Sequence, residues 1–234
     1  MLTPLVARAL ALVALTAVAT TTTTAHAGTV QIQPNVDYNR LSWVSISFDS
    51  GRSRQGELAG QLRLHRTGGT DASVKAANDF LAFCIEPTEY LTASTLTVGA
   101  LATGDTAQGG MGTAKARAIA RMFAGVLPDI GRSVANDVGA ALQVSIWEIE
   151  RETTGQYALD TGSLRASASP QIATLASQYL AYANANGHGP QLYTLRALTV
   201  TGAQDQLGQV PEPAAFCVLG LGLAGLIAAR RRAR

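Results

Sequence analysis

The sequence predicts an α+β fold, with N-terminal and C-terminal β-strands arranged as a sandwich or barrel and about three helices inserted between residues 113 and 186. Three observations predict it. Apolar and polar residues alternate with period two up to residue 66, apolar residues recur at helical spacing after Gly112, and a last alternating run starts near residue 191.

In the first part, "VQIQP", "LSWVSISFD" and "ELAGQLRLHRT" read as strands, with "DSGRSRQG" and "TGGTDA" as breaks. The Gly/Ser-containing loop between the second and third runs predicts a hairpin. "FLAFCI" is a short apolar run suited to a buried strand, and "LTASTLTVGALATGDTAQGGMG" reads as strand plus loop. In "TAKARAIARMFAGVLPDIG", Ile119, Met122, Phe123 and Val126 fall at helical spacing, with Thr113 as N-cap and Pro128 and Gly131 near the end. "SVANDVGAALQVSIWEIERETTG" repeats the pattern, with Val138, Leu142, Ile146 and Ile149 on one stripe. A third helix, in "SPQIATLASQYLAYANANGHG", has Ser169 as N-cap and Pro170 at its first position. "QLYTLRALTVTG" is the last predicted strand, and the polar "AQDQLGQ" reads as a linker over 203–210. No internal repeat is visible.

Both ends carry targeting features. Arg8 precedes an apolar run at 9–18 that is too short to span a bilayer, and Ala25, His26 and Ala27 form a small-x-small cleavage site, so residues 1–27 read as a secretory signal peptide. At the other end, Pro211, Glu212 and Pro213 precede an apolar run at 214–229 that is barely long enough to span. Arg230, Arg231, Arg232 and Arg234 follow, and they would stay on the cytoplasmic side with the rest of the chain outside. This order of parts resembles the PEP-CTERM sorting signal of Gram-negative bacteria. The resemblance assigns 211–234 to sorting and implies a transient inner-membrane anchor and processing by an exosortase. It also implies delivery to the cell surface or the exopolysaccharide matrix of a biofilm.

The whole chain has 18 basic and 16 acidic side chains, but Arg8, the four terminal arginines, Asp205 and Glu212 lie outside the passenger, which leaves it with 13 basic and 14 acidic side chains, at about −1. A chain with that balance lacks the basic surface that nucleic-acid binding needs. The passenger, residues 28–202, is long enough to bury a core as one domain.

Cys217 lies in the sorting segment, so Cys84 is the one cysteine expected in the mature domain, and a disulfide within it is excluded. A packed thiol, an intermolecular disulfide and a reactive thiol remain open. "FCIE" at 83–86 and "LQVSIW" at 142–147 resemble the paired signatures of bacterial thioester domains. Leu142 and Ser145 stand where that family commonly has Thr and Ala. The resemblance extends over residues 78 to 184. It implies a thioester between Cys84 and the side chain of Gln143, apolar cover from Phe83 and Trp147, and Glu86 placed to move a proton. The function it implies is single-turnover covalent capture of an amine- or hydroxyl-bearing partner, without a cofactor or metal. The other reading is a structural matrix protein in which Cys84 and Gln143 only pack.

Enzyme chemistry has little to build on. His26, His65 and His188 are too scattered for a zinc site or a Ser-His-Asp triad. Glu148, Glu150 and Glu152 read as a solvated face rather than a glycosidase pair. "GDTAQGGMG" lacks the Lys-Ser/Thr of a phosphate loop. No catalytic activity is expected.

Overall fold

The computed structural model describes residues 28–71, 79–126, 133–185 and 194–210. The strands are β1 (Thr29–Pro34), β2 (Ser42–Ser47), β3 (Gln55–Ala59), β4 (Leu62–Gly68), β5 (Asp79–Cys84), β6 (Ser94–Ala100), β7 (Arg165–Ser167), β8 (Thr194–Thr199) and β9 (Gln206–Val210). The helices α1 (Gly112–Val126), α2 (Asn136–Arg151) and α3 (Pro170–Asn184) interrupt them. Six strands close a barrel in the order β1-β4-β5-β9-β8-β6, with every neighbouring pair antiparallel. A second sheet has the order β3-β2-β7. The α+β expectation with barrel-like strands therefore holds, as does the β2–β3 hairpin.

Alternation along β5 turns successive side chains to opposite faces of the strand. Phe83 lies opposite Leu207 of β9 and meets Phe123 of α1 edge to face, with ring centroids 5.8 Å apart. Cys84 is therefore turned to the other face, across from Gln206 and, one strand further, Leu198. Ile119, Met122 and Phe123 of α1 are wholly buried. Side chains of this size each contribute about 1.5–3 kcal/mol when buried.

The helices pack closely because small residues sit where they meet. A Cβ on Gly125 of α1 would come within 2.5 Å of the Tyr182 ring of α3. Ser145 of α2 is buried, and its hydroxyl donates to Ala141 O at 2.8 Å and faces Ala176 O of α3 at 3.4 Å. α3 starts as predicted, with Ser169 Oγ accepting from Ile172 N at 3.3 Å and Pro170 in the first turn.

Four features differ from the sequence expectations. The segment 203–210, expected to be a linker, contains β9, which lies between β5 and β8 in the barrel. Its glutamines resemble a solvated spacer in sequence, yet Gln204 and Gln206 are buried and hydrogen-bonded. α1 begins at Gly112, whose φ of +80° suits glycine, so Thr113 lies inside the helix rather than capping it. β7 is too short to register as alternation. The fourth difference concerns Glu148, Glu150 and Glu152, which are buried, at 0, 2 and 1 % exposure, instead of forming a solvated face. The loop that follows α2 folds back over the helix end and supplies partners for Glu148 and Glu152, while Glu150 Oε2 lies 2.8 Å from Arg151 Nε. Glu152 accepts from the N–H groups of Thr153, Thr154 and Ser163, and Glu148 from that of Ala158.

Candidate functional site

Cys84 ends β5 at a place where its neighbour has already stopped. β4 pairs with β5 only as far as Leu62 opposite Ala82, so beyond that point the backbone groups of Cys84 have no strand to bond. Gln143 of α2 fills the gap. Its Oε1 accepts from Cys84 N at 2.9 Å and its Nε2 donates to Cys84 O at 2.8 Å, so the carboxamide takes the place of a missing peptide group. The motifs at 83–86 and 142–147 are thus brought together, but through the cysteine backbone.

The thiol faces a different carboxamide. Cys84 Sγ donates to Gln204 Oε1 at 2.8 Å, a separation shorter than the sum of ordinary sulfur and oxygen radii. Gln204 precedes β9 and is held by further hydrogen bonds, one of them from Gln206 Nε2 to its backbone O at 3.2 Å. Its N donates to Tyr90 O at 3.2 Å, its Nε2 donates to Glu86 O at 2.9 Å, and Gln206 Nε2 donates to its Oε1 at 3.3 Å. Oε1 therefore receives two donors, which polarises the carbonyl. Sequence reasoning missed Gln204 because Leu207 is the one bulky apolar residue in the surrounding "AQDQLGQ", too few to show alternation. The available signal was the Thr201-Gly202 turn between two runs of strand length.

Burial sets the electrostatics. It pushes the Cys84 thiol well above the ordinary range, reinforced by the nearby Glu86 and opposed by Gln206. Burial also raises the Glu86 carboxyl to about 8, so this group holds a proton near neutrality. Its Oε1 accepts from Asp205 N at 3.1 Å, and its Oε2 is buried with no partner among the described residues. Asp205 is raised by burial while Thr106 N and Val200 N bond its two oxygens, which ties the β8–β9 turn to the loop before α1.

Of the two cover residues proposed from sequence, Trp147 lines a cavity with Cys84 and Gln204, whereas Phe83 packs against Phe123. The cavity has a volume of about 440 Å³. Trp147 is 2 % exposed, and its Nε1 has no acceptor among the described residues. His65 stands on β4, half exposed, with Nδ1 2.7 Å from Asp79 Oδ1. Among the described residues, no group of three or more His, Cys, Asp or Glu side chains is placed to hold a metal ion.

Pro211, Glu212, Pro213, Cys217, Arg230, Arg231, Arg232, His26 and His188 lie outside the described residues. No helix among the described residues is long and apolar enough to cross a membrane, and the span predicted at 214–229 lies outside them. Comparison with curated proteins and with solved structures gives no match. Residues 209–232 match the family model of the PEP-CTERM protein-sorting motif, which marks the chain as an exported exosortase substrate with a membrane-anchored precursor.

Proposed function

We propose that this exosortase-sorted chain works at the cell surface or in the exopolysaccharide matrix, through an internal thioester between Cys84 and Gln204 that attaches it covalently to an amine- or hydroxyl-bearing partner. The observation that carries the reading is the 2.8 Å approach of Cys84 Sγ to the oxygen of the Gln204 carboxamide, which sets the sulfur beside that group. Gln143, the acyl donor expected from sequence, supports the site in another way, because both of its polar atoms are engaged by the Cys84 backbone. Swinging it onto the sulfur would strip two buried backbone groups of their partners.

Formation is a transfer between held groups. The sulfur attacks the Gln204 carboxamide carbon, the C–S bond forms, the C–N bond breaks, and the thiol proton leaves with the nitrogen as ammonia. Glu86 carries a proton near neutrality and lies beside this wall, which suits it to pass that proton along. The product keeps an electrophilic carbonyl under apolar cover until a nucleophile enters, and it acts once.

A second reading, a structural matrix protein with a packed thiol, is favoured by one observation: Cys84 is 8 % exposed and burial keeps it protonated. Intact-mass spectrometry of the full chain, purified in detergent without amine buffers, separates the two. The thioester makes the chain lighter than its sequence by one ammonia, and Cys84→Ala or Gln204→Ala restores the sequence mass. Methylamine then adds to one glutamine, and peptide mapping finds it on Gln204. A wild-type chain at full sequence mass with Cys84 free to alkylation leaves the packed-thiol reading, and label on Gln143 returns the acyl role to that residue.

A further inference from the structure

Four large apolar side chains are left in solvent among the described residues: Tyr38 at 67 %, Trp43 at 71 %, Tyr90 at 85 % and Tyr182 at 48 % exposure. The first three gather around one cavity, the cavity of about 440 Å³ that has the buried Trp147 at its inner end. They come from separate elements: Tyr38 from the short turn at 38–40, Trp43 from β2 and Tyr90 from the loop after β5. The backbone fixes their positions. Asp37 Oδ1 accepts from Asn39 N at 3.1 Å and Tyr38 O from Leu41 N at 3.2 Å, while Tyr90 O accepts from Gln204 N at 3.2 Å. A Cβ on Gly56 would stand 3.4 Å from the Trp43 ring, so the indole lies against β3 where no side chain intervenes. Aromatic rings gathered in solvent on a fixed backbone mark a surface that a ligand covers.

The polar groups of the cavity narrow the class of ligand. Two carboxylates, Glu57 and Glu89, line it and no Lys, Arg or His does, so an anionic ligand is repelled. Two lining residues hold a buried polar atom without a partner among the described residues, and the two atoms are of opposite kind: Glu89 Oε2 is an acceptor and Trp147 Nε1 a donor. A hydroxyl both donates and accepts, whereas an ammonium only donates and an apolar side chain does neither. The rings add a demand of their own. The face of an aromatic ring is negative and attracts the slightly positive hydrogens of C–H bonds. A pyranose unit with equatorial hydroxyls meets both demands, because it carries C–H bonds on its faces and O–H groups around its rim.

We propose that this cavity is a binding site for a neutral polysaccharide of such units, which stack on Tyr38, Trp43 and Tyr90 while Glu57 and Glu89 accept from their hydroxyls. Three rings on three elements suit consecutive units of one chain better than a single free sugar. The binding is non-covalent and stands on the cavity alone, whether or not a thioester forms behind it.

The two tryptophans of the chain, Trp43 and Trp147, both line the cavity, so their fluorescence is a built-in reporter. The full chain carrying Cys84→Ser, which leaves binding alone to be measured, is titrated at pH 7 in a sugar-free detergent. The probes are cellohexaose, a neutral chain with equatorial hydroxyls, and hexagalacturonate, an acidic chain of the same length. Cellohexaose should change the fluorescence saturably, and hexagalacturonate should not. By calorimetry, Trp43→Ala and Tyr90→Ala should each weaken cellohexaose binding by about tenfold, the loss of one stacked ring, and leave thermal unfolding nearly unchanged because both rings are exposed. Tyr182→Ala, which removes an exposed ring away from the cavity, should leave the binding as it is. Absence of cellohexaose binding, equal binding of hexagalacturonate, or unchanged binding in both Trp43→Ala and Tyr90→Ala overturns the proposal. A wild-type chain at full sequence mass whose Cys84→Ser form binds cellohexaose would keep this site and remove the thioester reading. A wild-type chain lighter by one ammonia whose Cys84→Ser form ignores cellohexaose would do the reverse.

Discussion

Gln143 grips Cys84 by both backbone groups, through a 2.9 Å bond from Cys84 N and a 2.8 Å bond to Cys84 O. One side chain of α2 thereby completes the barrel edge where β4 ends, and it fixes the direction in which the thiol points. Gln143 is 1 % exposed, so water cannot replace what it supplies.

Gln143→Ala should therefore destabilise the domain by roughly 2–5 kcal/mol, since two buried backbone groups lose their partners at once. Urea unfolding followed by tryptophan fluorescence measures this. A loss below about 0.5 kcal/mol, the range of ordinary surface substitutions, would mean that the backbone of Cys84 finds other partners.

Much of the fold was legible because its segments announce their period. The β1, β2 and β5 runs and the Ser169-Pro170 start of α3 all carry local signals that the structure keeps. The site was legible in part: Cys84, Gln143 and Trp147 meet, but the partner of the sulfur is Gln204. Pattern reading assigns glutamine-rich segments to solvent, and only the closed barrel shows that Gln204 and Gln206 lie in a wall between β5 and β8. The glutamates of α2 fail the same test for the same reason. Glu148 and Glu152 look exposed until the 152–163 loop folds over them and offers backbone N–H groups, and Glu150 until Arg151 meets it.

Those glutamates make stability depend on pH. Burial raises Glu86 and Glu148 to about 8 and Glu150 to about 9, against an ordinary value of 4.5. Between these limits the folded chain binds more protons than the unfolded one, so this contribution is complete below about pH 4.5 and is lost as pH rises to about 9. Glu152 runs the other way: against its own burial, the N–H groups of Thr154, Ser163 and Thr153 hold it low, and its contribution is lost in acid. The urea midpoint should be higher at pH 6 than at pH 9, by the equivalent of a few kcal/mol. Glu150→Gln should flatten the alkaline part of that decline, and an unchanged pH profile in this variant would show that Glu150 stays charged in the folded state.

Ser169→Ala removes the one side-chain acceptor at the start of α3. It should lower stability by about 0.5–2 kcal/mol, as for other N-caps. Ser169→Asp should recover most of the loss, because a carboxylate accepts the same N–H and suits a helix N-terminus. Thermal unfolding of the three proteins side by side tests the order wild type, Asp, Ala. Equal melting of Ala and wild type would place the weight on Pro170 instead.

Trp147 closes the inner end of the cavity that Cys84 and Gln204 share, and removing its ring should act on the stored bond. Trp147→Ala opens a large void in α2 and should cost about 3–5 kcal/mol, so stability alone says nothing of cover. Trp147→Phe keeps an aromatic wall and deletes only the indole N–H, which has no acceptor among the described residues. If the ring excludes water from the proposed thioester, the Ala variant should still lose ammonia on forming the bond and then regain mass by one water faster than wild type, with the Phe variant close to wild type. Intact mass followed over time at pH 7 reads all three. Equal rates for Ala and wild type would assign the exclusion of water to the rest of the wall, and a Phe variant as fast as Ala would assign it to the width of the indole.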